Sequence, residues 1–397
     1  MPGQFYDVIV VGAGPAGSYA ACELASSGYS VAVLEQKEAV GVGVCCTGII
    51  SLECFDSFGI NPEVILNKAS SAKFFSPSGK CLRLQDNRVQ ACVLDRDSFD
   101  QAIARKAQAM GANYLFLSRA TDIVIEKDKA LVEISHYGSR ERLTARAVIL
   151  ANGFNPRLSQ KLNLGKIEHF IIGAQTEVEA DDVNEVEVYF NQRIAPGFFA
   201  WLVPTSANKA LVGLLSMSHA KVCLQKFLLS PFCRRRLVRQ EGRIKQKVMP
   251  LGTLPHTYGN RMLVIGDAAG QVKPTTGGGI YFGHLGAKIA AEVLGEALIN
   301  DDLSADGLSC YQRQWKAKMG KEISLGYWAR RAYFKLSDRQ VERIFSMFDS
   351  GGIARALLDS PNLSFDWHSR LILASLRQVL VYPLRKAWHL FHKEVGL

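Results

Sequence analysis

Near the start of the chain, Gly12-Ala13-Gly14-Pro15-Ala16-Gly17 sets glycine at the first, third and sixth positions of a six-residue run. That spacing suits the holding of a pyrophosphate by backbone N–H groups. Gly12 permits a tight turn, Gly14 lets a phosphate approach the main chain, and Gly17 lets the following helix pack closely on the preceding strand. Glu35 lies 23 residues after Gly12 and can accept hydrogen bonds from a ribose. A second chemical candidate is the adjacent pair Cys45-Cys46 within the run VGVGVCCTGII. Neighbouring thiols admit a redox pair, half of a metal site, or a tight loop laid against something flat. The nine cysteines are scattered without C-x-x-C spacing, so grouped ligands for zinc or an iron–sulfur cluster are missing. A disulfide between neighbours strains its geometry. The loop of small residues is the reading that survives.

The elements that must position these residues can be read from periodicity. Tyr6 to Val11 is an apolar, β-rich run leading into the glycine turn, and an Ala-rich helical segment follows to about Ser27. The segment YSVAVLE predicts a second strand ending at Glu35. Further on, Asp95-Arg96 leads into a helix with apolar residues at Phe99, Ile103 and Ala107, and LTARAVILANGF predicts another buried strand ending at Asn152-Gly153. Ile167 to Met217 alternates as antiparallel strands do. Within it, Phe199, Trp201 and Val203 share one face of a strand and make an aromatic wall. Met262 to Ile265 predicts a strand, followed by Gly266-Asp267, a loop with Pro274 and three glycines, and a helix from about Ile280.

Length and charge bound the rest. At 397 residues the chain exceeds the usual reach of one core, so two domains are expected. The net charge of +10 is uneven: Arg313 to the end carries 15 Lys/Arg against 7 Asp/Glu, and Arg234 to Lys247 carries 7 against 1. Two basic patches on a slightly acidic body suggest an anionic partner such as a membrane surface, a phosphorylated substrate or an acidic redox protein, with solvated helix faces as the plain alternative. No nucleic-acid motif accompanies the charge, and no nucleic-acid partner is expected. No uncharged run reaches the roughly 18–20 residues a spanning helix needs. The stretch Ser369 to Val395 mixes Leu, Ile, Val, Trp and Phe with Arg, Lys and His at helical spacing, as an interfacial helix or an amphipathic core helix would. Cysteine usage and the lack of a signal peptide predict a cytoplasmic protein, or one peripheral on a membrane.

The closing segment NRMLVIGDAAGQVKPTTGGGIYFGHLGAKIAAEVL resembles the last motif of the FAD-binding fold of aromatic hydroxylases and related flavoproteins. The resemblance implies that Asp267 contacts the ribityl chain and that Gly279 and Ile280 face the pyrimidine end of the flavin ring. It also implies that Arg96 reaches the cofactor and that the backbone of Ala120 touches the adenine. Ala16, Gln36 and Glu35 join Gly12, Gly14 and Gly17 as expected cofactor contacts. Many relatives have Asp-Gly where this chain has Asn152-Gly153. Three further features resemble the geranylgeranyl reductase family: Phe199-Ala200-Trp201-Leu202-Val203-Pro204, Cys45-Cys46-Thr47-Gly48, and the loop KPTTGGGI. The first departs from the family in Phe199, where Tyr is usual, and in Val203, where Phe is usual.

This second resemblance implies saturation of isoprenoid C=C bonds with FAD as cofactor. Cys45 is expected on the substrate side as a catalytic candidate, Cys46 and Thr47 against the cofactor, and Gly48, Phe199, Trp201 and Pro204 against substrate. His284 is a further candidate proton donor. An isoprenoid lipid or prenyl diphosphate is the expected substrate. With no second glycine fingerprint, NAD(P)H or a reduced ferredoxin-like protein serves as external electron donor. The fold class implied is α/β: a Rossmann-like FAD-binding domain (1–70, 93–165 and 256–305) interleaved with an antiparallel β-sheet substrate domain (71–92 and 166–255), plus a helical C-terminal region (306–397). Flavin-dependent hydroxylases and halogenases share much of this pattern and are the alternative. Non-enzymatic prenyl-binding proteins are a second.

Overall fold

Continuous runs rich in Val, Ile, Leu and Ala are suited to strands buried on both faces, and such runs build the centre of the first layer. The computed structural model describes residues 5–350, 364–370 and 372–373. In it Phe5–Val11 lies parallel to Val31–Leu34 on one side and to Ser139–Leu150 on the other, with Ile9 opposite both Ala32 and Val148. Asn113–Leu115 extends the sheet beyond Val31–Leu34, and Met262–Val264 extends it beyond Ser139–Leu150. Helices Pro15–Ser26, Arg96–Ala109 and Ile280–Ile299 cover one face with a common core. A second core on the other face joins Tyr6, Ile9 and Val11 to the antiparallel hairpin of Ser118–Ile125 and Ala130–His136.

Each covering helix starts where local chemistry dictates. Pro15 occupies the first turn of its helix, where its missing N–H costs nothing. Asp95 caps the next helix by accepting from the N–H groups of Asp97 and Ser98 at 3.2 and 3.4 Å.

The second sheet runs, in spatial order, Cys81–Gln85, Ser71–Phe75, Val186–Tyr189, Ala200–Ser206, Lys209–Ser216, Phe170–Ala180 and Leu237–Gln240, with Lys245–Pro250 also paired to Phe170–Ala180. Its neighbours are antiparallel except for Val186–Tyr189 and Ser71–Phe75, which run parallel. The expected antiparallel substrate sheet is present, with this one parallel seam within it. More than a hundred residues separate the two strands in sequence, so the chain returns through a crossover and no hairpin imposes direction. A small third sheet of Ile49–Ser51, Ala91–Leu94 and Ile65–Ala69 sits against the second, its Val93 packing on Val186 and Val203.

Helices Ala305–Trp315 and Lys321–Phe334, joined by a π-helical turn, are followed by Asp338–Ser350. The first docks on the edge of the parallel sheet: the Tyr311 hydroxyl donates to the Val264 carbonyl at 2.8 Å, and Trp315 Nε1 donates to Thr257 Oγ1 at 2.9 Å. Among the described residues, no helix is long and apolar enough to cross a membrane. The amphipathic stretch Ser369 to Val395 lies almost wholly outside the described residues.

Candidate functional site

The glycine turn is built by close approaches that leave no room for a side chain. Gly12 has φ +108°, and a Cβ there would lie 2.5 Å from the Ala151 carbonyl oxygen; a Cβ on Gly17 would lie 2.0 Å from the Gly12 oxygen. Gly14 differs, because a Cβ there meets nothing within 4 Å and would project into open space. It precedes a 12-residue helix that has no side-chain cap, so the first N–H groups of that helix face the same space. Glu35 Oε2 accepts from the Ala13 N–H at 3.1 Å and its Oε1 accepts from the Lys37 N–H at 3.0 Å, holding the carboxylate beside the turn.

That space is a cavity of about 1270 Å³ running between the two large sheets. It exceeds the ~300–1,000 Å³ usual for one small ligand, so a dinucleotide and a second molecule fit together. Gly12, Gly14, Ala16 and Gly17 line one part with Glu35, Gln36 and Ala120; Asn152 and Gly153 border it too. Cys45, Cys46, Thr47, Gly48 and Arg96 line the middle, and Asp267, Gly279 and Ile280 close one side. The structure thus brings together every expected cofactor contact, although the chain segments that carry them are up to 268 positions apart.

Arg96 and Asp100, one helical turn apart, form a buried bidentate pair with Nη2 2.8 and 3.0 Å from the two carboxylate oxygens. Desolvation disfavours the charged guanidinium, but the Asp100 carboxylate outweighs it and Arg96 is held more firmly protonated than usual. Gly48, at φ +71°, lies where a Cβ would meet the Leu94 oxygen at 2.6 Å and the Arg96 stem at 3.0 Å. The cysteine loop is therefore pressed on Arg96. Gln175 braces it from the second sheet, donating to the Cys46 carbonyl at 3.2 Å and accepting from Thr47 Oγ1 at 3.1 Å. Both cysteines are free thiols. Burial pushes the Cys45 thiol up to about 11, with neighbouring Cys46 adding to the shift and Lys247 and Lys245 opposing it. It stays protonated at neutral pH.

Lys247 reaches from strand Lys245–Pro250 to Asp267, Nζ to Oδ2 2.7 Å. The carboxylate raises the lysine's pKa, and Cys46 lies close enough to contribute. On the opposite side of Asp267, a Cβ on Gly279 would lie 2.6 Å from Oδ1, so glycine is what lets the carboxylate sit at the helix start. This 20-residue helix also lacks a side-chain cap. Asp100, Gln175 and Lys247 were not singled out by sequence. Lys247 ends the basic run Arg234 to Lys247, whose charge suggests an anionic partner, and the cross-sheet placement of its strand is what turns it toward Asp267.

Phe199, Trp201 and Val203 line the cavity from the second sheet. Gly213 lies opposite Trp201, and a Cβ there would meet the indole at 2.5 Å. Pro204 falls on the other face with Ala200 and Leu202, paired to Ala210 and buried. Strand alternation turns it from the cavity, and its expected substrate contact is corrected. His284 is corrected as well. It is buried between Tyr19 and Phe58, with ring centroids at 4.2 and 4.4 Å, away from the cavity lining. Desolvation lowers its pKa to about 4 and keeps it neutral.

Two uncapped helix starts opening on one cavity, an open cradle at Gly14 and a carboxylate flanked by glycine suit a dinucleotide with phosphates at the first start and a ring system at the second.

The model of the lycopene cyclase protein family matches residues 7–360. Digeranylgeranylglycerophospholipid reductase 1 of Methanococcoides burtonii is 30% identical over 355 residues, covering 85% of this chain and 86% of that protein. The digeranylgeranylglycerophospholipid reductase of Methanocaldococcus jannaschii is 32% identical over 354 residues, covering 85% and 89%. Among solved structures, a geranylgeranyl bacteriochlorophyll reductase-like protein of Thermoplasma acidophilum superposes with a TM-score of 0.83 at 24% identity over 96% of this chain and 99% of its own. A flavin-dependent brominase superposes at 0.71 and 18% identity, over 96% and 100%. Both share the fold.

Proposed function

From the premise that the chain belongs to the geranylgeranyl reductase family of flavin-dependent oxidoreductases, we propose that it binds FAD and saturates C=C bonds of an isoprenoid lipid. The observation that carries this reading is a single cavity joining the glycine turn to the aromatic wall of Phe199 and Trp201, with the Cys45–Gly48 loop between them. In this reading the Gly14 cradle holds the pyrophosphate, Glu35 the adenosine ribose, and Arg96 and Asp267 the flavin side chain. Gly279 and Ile280 lie at the ring, and the loop backbone of Cys46 and Thr47 lies along it. A reduced flavin held by these residues would supply the hydride for one alkene carbon.

An unactivated alkene offers no polar handle, so the protein acts mainly by placement and by excluding water. Phe199, Trp201 and Val203 present a flat apolar wall on which a polyprenyl chain can lie. Cys45 Sγ–H, protonated throughout the neutral range, is the group this chain can offer as proton donor to the second carbon. Gln175 holds the loop so that the thiol stays at the cavity surface. Electrons come from outside, from NAD(P)H or a reduced ferredoxin-like protein, for which the described residues carry no second glycine turn.

The test is anaerobic incubation of the reduced protein with a polyprenyl substrate. Saturated product supports the reading. A hydroxylated or halogenated product in air, with the alkene untouched, would replace it with the oxygenase alternative.

A further inference from the structure

A guanidinium removed from water without a counter-charge is costly, and proteins seldom leave one so. Arg330, on helix Lys321–Phe334, approaches that state: the residue is half-buried and its Nε–H is shut away from solvent. It stacks among three rings, its Cζ 4.4 Å from the Phe198 centroid, 5.2 Å from Tyr333 and 5.7 Å from Phe199. Its Nη1 donates to the Gly197 carbonyl at 3.3 Å and its Nη2 donates to the Thr275 carbonyl. These account for two of five N–H groups, and Nε–H has no acceptor among the described residues. Among the described residues no carboxylate pairs with it. Acids of the neighbouring elements are engaged elsewhere: Asp338 accepts from the Gln192 N–H at 2.8 Å, Glu342 accepts from the Ser78 N–H at 3.1 Å, and Asp366, which lines the same cavity, accepts from Lys273 Nζ at 2.7 Å. Desolvation, opposed in part by Tyr333, lowers the guanidinium to about 10, still a cation at neutral pH.

Two more unsatisfied donors belong to the same corner. Gln192 uses its Oε1 to accept the Gly197 N–H at 2.7 Å, and among the described residues neither its Nε2 nor the buried Tyr333 hydroxyl has a partner. Arg330 itself lines the large cavity, beside Phe190, Phe199 and Thr275. The apolar wall therefore ends on a rigid cation whose planar fork suits phosphoryl oxygens.

We infer that Arg330 forms an anion subsite in the substrate part of the cavity, taking a phosphoryl group of the isoprenoid substrate and so setting which end of the chain lies deepest. The inference rests on the isoprenoid reading above. It adds a headgroup contact distinct from the phosphate cradle at Gly14, on a different element and a different side of the cavity lining. Aromatic stacking fixes the fork before the ligand arrives, which reduces the ordering cost of binding.

The test is calorimetric titration of FAD-loaded protein with a prenyl diphosphate, a prenyl ether of phosphoglycerol, the free prenol and inorganic pyrophosphate. The expected result is that one or both phosphorylated lipids bind at least ~10-fold tighter than the prenol. The tighter of the two identifies the source of the phosphoryl group. In Arg330→Met that advantage falls to parity while prenol and FAD affinities hold, and Arg330→Lys keeps part of it. A phosphate advantage that survives in Arg330→Met overturns the subsite. So does an equal loss for prenol and diphosphate, or a loss of FAD, since either marks a structural or cofactor role. Should Arg330→Met fail to fold, competition in the wild type decides: pyrophosphate must displace the diphosphate and leave bound prenol in place. Prenol binding without phosphate preference removes the subsite and leaves the isoprenoid reading standing, whereas failure of every lipid to bind removes both.

Discussion

Replacing Arg96 by Met separates what this residue does for the fold from what it does for the cofactor. Its guanidinium and the Asp100 carboxylate are 10% and 4% exposed and meet through three N–H···O contacts of 2.8 to 3.2 Å. Met fills much of the same volume but strands Asp100 in the interior, and breaking a buried pair from one side costs about 3–5 kcal/mol. Burial already raises the Asp100 pKa; with Arg96 gone only the weaker pull of Lys247 opposes it, and the pKa rises further. A group whose pKa is raised by folding contributes stability below its unfolded value near ~3.9 and loses it as pH rises. The deficit of Arg96→Met should therefore be smallest near pH ~4 and grow over about 2–4 pH units, at 1.36 kcal/mol per unit. Adding Asp100→Leu removes the stranded charge and should recover stability to within ~1–2 kcal/mol of wild type. FAD affinity, followed by flavin fluorescence, should stay reduced in both variants, because Arg96 lines the cavity. Urea unfolding at several pH values and flavin titration read the two effects separately. Wild-type FAD affinity in the double variant would refute the cofactor role of Arg96. A single variant with no pH-dependent loss would refute the pairing argument.

Cys45→Ala should keep FAD and lose most alkene reduction; loss of FAD would mean that the roles of Cys45 and Cys46 are reversed. Because the thiol lies at about 11, alkylation of Cys45, followed by mass spectrometry of its peptide, should be slow at pH 7 and accelerate as pH approaches that value. Gly14→Ala should cost about 1 kcal/mol or less in thermal unfolding yet weaken FAD binding, since its Cβ enters only open cavity, whereas Gly17→Ala should fail to give folded protein. Gly213→Ala should destabilise by about 1–3 kcal/mol through overpacking against Trp201 and shift the Trp emission.

The parts of the site legible in sequence are those that local geometry fixes. The glycine turn is one, because Gly12, Gly14 and Gly17 answer to the strand and helix on either side of them. The helix start at Gly279 and Ile280 is another. What sequence did not display depends on contacts between distant segments. Lys247 meets Asp267 only because its strand pairs with Phe170–Ala180 and turns its side chain toward the parallel sheet's end. Arg330 belongs to a corner whose rings lie more than a hundred positions upstream and on its own helix. Pro204 differs for another reason: its expected substrate contact comes from the family motif as a whole, and a strand sends alternate residues of such a motif to opposite sides. His284 looked chemical in sequence, and the two rings that enclose it come from another helix and from the end of Leu52–Phe58.

In the proposed function one cavity holds FAD against an isoprenoid alkene. Mass spectrometry of a polyprenyl lipid incubated anaerobically with the dithionite-reduced protein tests it directly. The predicted product is heavier by one molecule of hydrogen for each bond saturated, and its formation requires bound FAD. An unchanged lipid, or one that has gained oxygen or a halogen once air is admitted, would contradict it.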